Sequence, residues 1–367
     1  MDVHDVLNKL QSKKNVLLMG APGTGKSKIM NDVAQVFETG VEISPIPTHF
    51  PGAEIPIPAV PDVDIIGTLP MMQRSHRKVF RTTLHQNSKY RDFLTGITPR
   101  FDGNEGYQIS QGILYRANEF AKQPDSAALL IIDELNRGPA IEVFGGSIAT
   151  IEPDKRLGDD NTPTGNTQFF EILSPLTGDY AEYAFSKHLY ILAAMNQADV
   201  SVAPLDVAFM RRWMAMMLEP DYSPVYERFL IRAETAIPAD NPSVHDVYHA
   251  AVKALEKINE KIVVGRGAEY QLGQGVFLST SPRGNTVNDA LDFVADAWAM
   301  IYAHVDELFF GEPIAMAYVL NADRDNSPYS LEEVTFAGET KFVLSHSEIN
   351  RSTIYGLYHS LLEDDHS

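Results

Sequence analysis

Eight residues, Gly20-Ala21-Pro22-Gly23-Thr24-Gly25-Lys26-Ser27, follow directly on the apolar run Asn15-Val16-Leu17-Leu18-Met19. A short apolar run bounded by a glycine turn reads as a strand buried on both faces, as in a parallel sheet. Helical spacing then continues to about Phe37. Strand, glycine loop and helix in that order make a phosphate-binding loop. The glycines let consecutive backbone N–H groups turn inward around phosphate oxygens, aided by the helix N-terminus. Lys26 would reach the β- and γ-phosphates, and the Ser27 hydroxyl would ligate Mg²⁺. A chance match in a chain this long is expected at roughly 1%, so the loop is read as a nucleotide site.

The remaining pattern alternates strands and helices. Lys78–His85 reads as a second strand, Gln111–Lys122 as a helix, and Ala128–Ile132 as a buried strand ending in Asp133-Glu134. Leu189–Ala194 is a further strand running into Met195-Asn196, and Trp213–Leu218 reads as the last. This alternation predicts an α/β fold with a doubly wound parallel sheet, whose ligands sit at the carboxyl ends of the strands. Residues 41–70, rich in proline and aliphatic side chains, read as a surface insertion in an α/β domain spanning 1–220. Residues 153–187 read as a projecting β-hairpin. From about Asp221 the spacing becomes helical, with Val244–Ile262 and Val287–Leu308 as the main helices of a lid domain over 221–320. A C-terminal extension, 321–367, holds a short β-like piece at Thr340–Leu344 and a final helix near Ser352–Leu362.

Acidic residues outnumber basic ones 49 to 30, a net charge of −19. Nucleic-acid binding draws on neutralised phosphates and a basic face, so direct DNA binding by this chain alone is not expected. The chain has no cysteine, which excludes disulfides and thiolate metal sites. It has no apolar stretch of bilayer-spanning length and no signal-peptide start. A cytoplasmic location away from membranes is the expectation.

Asp133 and Glu134 end an all-aliphatic strand, where unpaired charge would be costly. Asp133 would hold Mg²⁺ and Glu134 would activate the attacking water as general base; the plainer reading is an exposed acidic turn. Asn196, at the end of the next strand, could orient that water, with Asp199 as a weaker companion, although asparagine at a strand end is often a turn former. Arg211 or Arg212 could stabilise a phosphoryl-transfer transition state or form a structural ion pair. Arg283 could reach the phosphates or simply face solvent.

Together these motifs resemble the AAA+ class of ATPases, in the McrB/MoxR-like (dynein-related) branch, and most closely the part containing the McrB motor of modification-dependent restriction systems. The stretches that carry the resemblance are Gly20–Ser27, Asp92–Gly96, Leu130–Gly138 with Val143-Phe144-Gly145, Met195–Ser201, Leu205–Trp213 and Tyr270–Phe277. The resemblance spans roughly residues 14 to 310. It implies a ring-forming, hexameric nucleoside-triphosphate phosphohydrolase using ATP (or GTP) and Mg²⁺. Lys26, Ser27, Asp133, Glu134 and Asn196 match the motifs acting within a subunit, and Arg211 and Arg212 match the pair offered by a neighbour. Asn136 matches a signature position near the catalytic water, and Tyr270–Phe277 looks like that branch's lid segment. The family's motor usually carries a DNA-reading domain ahead of the phosphate loop, whereas here the loop lies close to Met1. Targeting is therefore expected from a partner or from the unusual segments, the 41–70 insertion and the C-terminal extension; the partner is a separately encoded nuclease on the restriction or phage-defence reading, or a von Willebrand A-type protein if the chain is a MoxR-like remodelling ATPase.

Overall fold

A computed structural model describes residues 1–40, 67–100, 106–198, 205–232 and 235–363. Most of the expected insertion at 41–70 lies outside them, as does Asp199. The chain forms two compact units, one of residues 1–19 and 26–218, the other of 20–25 and 219–367.

The first unit is built on a five-stranded sheet in the order β2-β5-β8-β1-β9. Its strands are β1 (Asn15–Gly20), β2 (His76–Thr83), β5 (Ser126–Asp133), β8 (Leu189–Asn196) and β9 (Met214–Leu218). Parallel pairing joins β2 to β5 and β5 to β8, with Ile132 opposite Ala193. Seven of the eight β5 residues and seven of the eight in β8 are buried, which follows from covering both faces of the sheet. Along β5, Ala127, Leu129 and Ile131 pack with Val6, Leu7 and Leu10 of helix α1 (Val3–Lys13) and with Met30, Val33 and Phe37 of helix α2 (Lys26–Thr39). The alternate residues Ala128, Leu130 and Ile132 pack with Leu114, Phe144 and Phe185 on the other face. The period of two along each strand thus feeds two separate apolar layers. Helix α1 was not evident from the apolar pattern; Asp2 and Asp5 close its first turn as a reciprocal cap.

Two antiparallel hairpins project from this unit. β6 (Phe170–Leu173) and β7 (Tyr180–Tyr183) form the one expected within 153–187. The other, β3 (Thr95–Pro99) with β4 (Tyr107–Gln111), was not foreseen. It corrects the expected helix at Gln111–Lys122, which runs over Ile113–Ala121 because Gln111 pairs with Thr95 and Gly112 caps the helix.

The second unit centres on the helices Val244–Gly265 and Val287–Leu308, each opened by a capping box, Ser243/Asp246 and Thr286/Asp289. The chain beyond residue 321 packs into the same core: Trp298 Nε1 donates to Tyr329 Oη at 3.1 Å, and Tyr358 Oη donates to the Val294 carbonyl at 2.8 Å. The short β-like piece expected at Thr340–Leu344 is a full hairpin of β10 (Tyr329–Phe336) and β11 (Glu339–His346). Its two-residue turn, Ala337-Gly338, is left-handed at both positions (φ 53° and 86°), the twist that suits a tight hairpin. Among the described residues no helix is long and apolar enough to cross a membrane.

At the amino end of the first unit's sheet, Asn15 is fully buried and its amide donates to the carbonyls of Ile151 (2.8 Å) and Arg212 (3.1 Å). Arg156, 1% exposed, donates to Asn15 Oδ1 at 2.6 Å, to the Ile151 carbonyl at 2.9 Å and to the Leu189 carbonyl. Beside it Lys14 is buried with its ammonium over the Tyr190 ring, 4.4 Å from the centroid. Burial first, and the charges of Arg156 and Lys187 second, pull the Lys14 pKa down to about 7. Arg156→Ala would strand these buried acceptors and should cost about 3 kcal/mol or more in denaturant unfolding; a loss below about 1 kcal/mol would show that water replaces the guanidinium. Between about pH 7 and the ordinary lysine range, the unfolded chain carries a proton at Lys14 that the folded chain has released, so this group makes stability rise with pH through that window. Lys14→Met should flatten that rise. An equally steep rise in the variant would place the titrating group elsewhere.

Candidate functional site

The carboxyl ends of β5 and β8 carry the expected acidic and polar residues. Asp133 closes β5 and is half-buried, and its carboxylate accepts the Glu134 N–H at 3.0 Å. Glu134 itself sits in the left-handed region (φ 54°, ψ 49°). That conformation costs a non-glycine residue on the order of 1 kcal/mol, and it turns the chain sharply off the strand so that consecutive carboxylates need not point the same way. Glu134 also pairs with Arg137, with Nε 3.1 Å from Oε2.

Asn196 ends β8, the strand beside β5. Its carbonyl accepts from Asn136 Nδ2 at 2.8 Å, so the turn that follows Glu134 is tied to the neighbouring strand end. Asn136 is buried, and among the described residues its Oδ1 has no hydrogen-bond partner. The same holds for Gln197 Oε1, one residue past Asn196. Buried acceptors left open are uncommon in folded proteins, and the one on Asn136, in the turn that follows the acidic pair, fits a place that receives a hydrogen-bond donor such as water.

Lys26 is the first residue of α2 and is buried, 9% exposed, whereas Ser27 is exposed. The loop before them, Gly20-Ala21-Pro22-Gly23-Thr24-Gly25, turns through left-handed glycines at Gly23 (φ 76°) and Gly25 (φ 94°). Only glycine takes such values readily, and they give the curled backbone whose N–H groups converge on an anion. Thr24 Oγ1 donates to the Ala21 carbonyl at 2.9 Å and closes the loop on itself. Each group by its own chemistry suits a phosphate chain with Mg²⁺: in the second unit a curled run of amides, and in the first a lysine at a helix start with a hydroxyl and a carboxylate as hard oxygen donors.

The arginine pair is separated by its surroundings. Arg212 is held within its own chain, its side chain 10% exposed, with Nε 3.2 Å from Glu152 Oε1 and a further bond to the Ala208 carbonyl. Arg211 is exposed. In the second unit Arg283 is also exposed. Sequence reasoning did not foresee Glu152 or Arg137 as partners, because a single charged residue far along the chain, or three residues on within a turn, carries no pattern of its own.

Residues 69–213 match the family described as AAA domain, dynein-related subfamily. The Escherichia coli K12 protein described as the type IV methyl-directed restriction enzyme EcoKMcrB subunit is 26% identical over 318 residues, covering 85% of this chain and 57% of that protein. The Bacillus subtilis type II restriction enzyme BsuMI component YdiS is 30% identical over 213 residues, 56% of this chain and 57% of its own length. The match thus takes in less than two thirds of either relative. The solved structure of C. elegans PCH-2 is 11% identical over 82% of this chain and 67% of that one, at a TM-score of 0.35.

Proposed function

We propose that this chain, an AAA+ protein of the dynein-related kind related to McrB-type restriction subunits, is the nucleotide-driven motor of a restriction or phage-defence complex. It would hydrolyse ATP, or GTP, within a ring of copies of itself, six on the family pattern, and act on a separately encoded nuclease. The observation that carries this reading is the left-handed Glu134 directly after Asp133, braced through Asn136 to the end of the adjacent strand. Similarity to two restriction-enzyme components favours it over a MoxR-like remodelling role.

In this reading the amides of the 20–25 loop and the Lys26 ammonium bind and orient the phosphates. Ser27 and Asp133 would hold Mg²⁺, which when bound neutralises charge on the phosphate oxygens. Glu134 accepts the proton of the attacking water, with Arg137 fixing its carboxylate. Asn136 and Asn196 orient that water, and Asp199 is kept as a weaker companion. Arg211, exposed and uncommitted to the Glu152 pair, is the one of the two arginines suited to a neighbour's phosphates, while Arg212 braces its own chain. Arg283 would add a contact to the phosphates.

Glu134→Gln should lower steady-state phosphate release on the order of 10²-fold or more while calorimetry shows nucleotide still bound. Unchanged hydrolysis would remove Glu134 as the base. The trans assignment is tested by mixing Arg211→Ala subunits with an excess of Lys26→Ala subunits, which should restore part of the turnover that neither variant has alone. If no ratio restores activity while assembly stays intact, Arg211 acts within its own subunit.

A further inference from the structure

Within the second unit, the segment Gly273-Gln274-Gly275 grips the outside of the glycine loop. Gly273 N–H donates to the Pro22 carbonyl at 2.8 Å and Gly275 N–H to the Gly23 carbonyl at 2.9 Å. Gln274, 7% exposed, donates through Nε2 to the Thr24 carbonyl at 3.2 Å and accepts the Asp221 N–H at 3.1 Å. Three donors from three consecutive residues therefore take three consecutive loop carbonyls. In a trans peptide the carbonyl and the following N–H point in opposite directions. Fixing the carbonyls of Pro22, Gly23 and Thr24 on one side accordingly fixes the N–H groups of Gly23, Thr24 and Gly25 on the other. Donation to a carbonyl also polarises the N–H of the same peptide and strengthens it as a donor.

The approach is too close for any residue but glycine. A Cβ at Gly273 would come within 2.2 Å of the Gly23 carbonyl carbon and 2.4 Å of the Thr24 nitrogen, and one at Gly275 within 2.9 Å of the Gly23 oxygen. Behind the clasp, Asn259 fixes Leu272 from both sides, donating to its carbonyl and accepting its N–H, each at 2.8 Å. Asn259 is buried on the long helix Val244–Gly265, so the position of Gly273 is set by that helix rather than by a free loop.

We infer that Gly273, Gln274 and Gly275 are positioning residues that hold the phosphate loop in its anion-binding form before the nucleotide arrives. This rests on the loop being the nucleotide site. The clasp touches no phosphate; it acts by presenting the loop amides already turned inward, so the ordering cost is met during folding and not at binding. Its loss should weaken recognition of the triphosphate selectively and leave recognition of the base unchanged.

The test uses the full chain with Mg²⁺ and fluorescent ATP and GTP, alongside the corresponding unphosphorylated nucleosides. Gln274→Met keeps the length of the side chain and removes its donor and acceptor. It should raise the Kd for whichever triphosphate the wild type holds more tightly by about tenfold, the effect of roughly one net hydrogen bond. The nucleoside Kd should stay at the wild-type value, while the melting temperature without ligand should fall, because the variant strands the Thr24 carbonyl and the Asp221 N–H. Gly273→Ala, which cannot keep the contact, should lose more. An unchanged triphosphate Kd in Gln274→Met, or an equal loss on triphosphate and nucleoside, overturns the inference while leaving the nucleotide site standing. A wild-type chain that takes up neither triphosphate overturns the nucleotide reading itself and the clasp with it.

Discussion

The first unit hangs on a buried amide at the start of its central strand. Asn15 has two N–H donors and one carbonyl, and all three groups are used: the donors by the carbonyls of Ile151 and Arg212, the carbonyl by Arg156. Arg156 then spans to Ile151 and Leu189. One small side chain and one large one thus fix where β1 and β8 begin, next to the Ile191–Lys14 bond that joins the two strands at 2.8 Å. In a parallel sheet the register at one end sets which residues emerge at the other. The placement of Asn196 at the carboxyl edge is therefore decided at the opposite end, by polar groups on the amino side of the sheet. The same hub takes the Arg212 carbonyl, so the residue beside Arg211 is anchored to the start of β1.

Much of this fold was legible because its signals are local. The strands at Asn15, Ala128 and Leu189 are apolar runs that only a two-sided burial can accommodate, and the helix at Val287–Leu308 begins and ends where its cap and spacing indicate. The elements that carry no local signal owe their form to distant partners. β3 and β4 are short and largely exposed or half-buried, so burial does not mark them. β10 has an apolar start and an exposed end, Glu332 to Phe336, and is a strand because β11 pairs with it. Helix α1 is amphipathic over three turns, but its acidic cap resembles a polar terminus when read without the core that Val6, Leu7 and Leu10 enter.

The candidate site shows the same division. That Asp133 and Asn196 close neighbouring strands was legible, because an all-aliphatic run precedes each of them. Which of two adjacent arginines stays uncommitted was not, since the answer lies in Glu152, some sixty positions earlier in the chain. Nor was the clasp, although its cue is visible in hindsight. Two glycines flanking a glutamine have no turn to explain them until the loop carbonyls they meet are known.

At the amino end of the sheet the Asn15 amide and the Arg156 guanidinium have their partners, the condition under which buried polar networks rigidify a fold. At the carboxyl end Glu134 is held left-handed, and Asn136 Oδ1 and Gln197 Oε1 are buried without a partner among the described residues. Strain and open acceptors are unfavourable in the resting chain and persist only where the surroundings over-determine them. The Asn15–Arg156 hub provides that surplus by locking the strands from below, and the Asn136–Asn196 bond passes the constraint to the turn itself. A sheet stapled at one end can therefore carry a strained turn and buried open acceptors at the other.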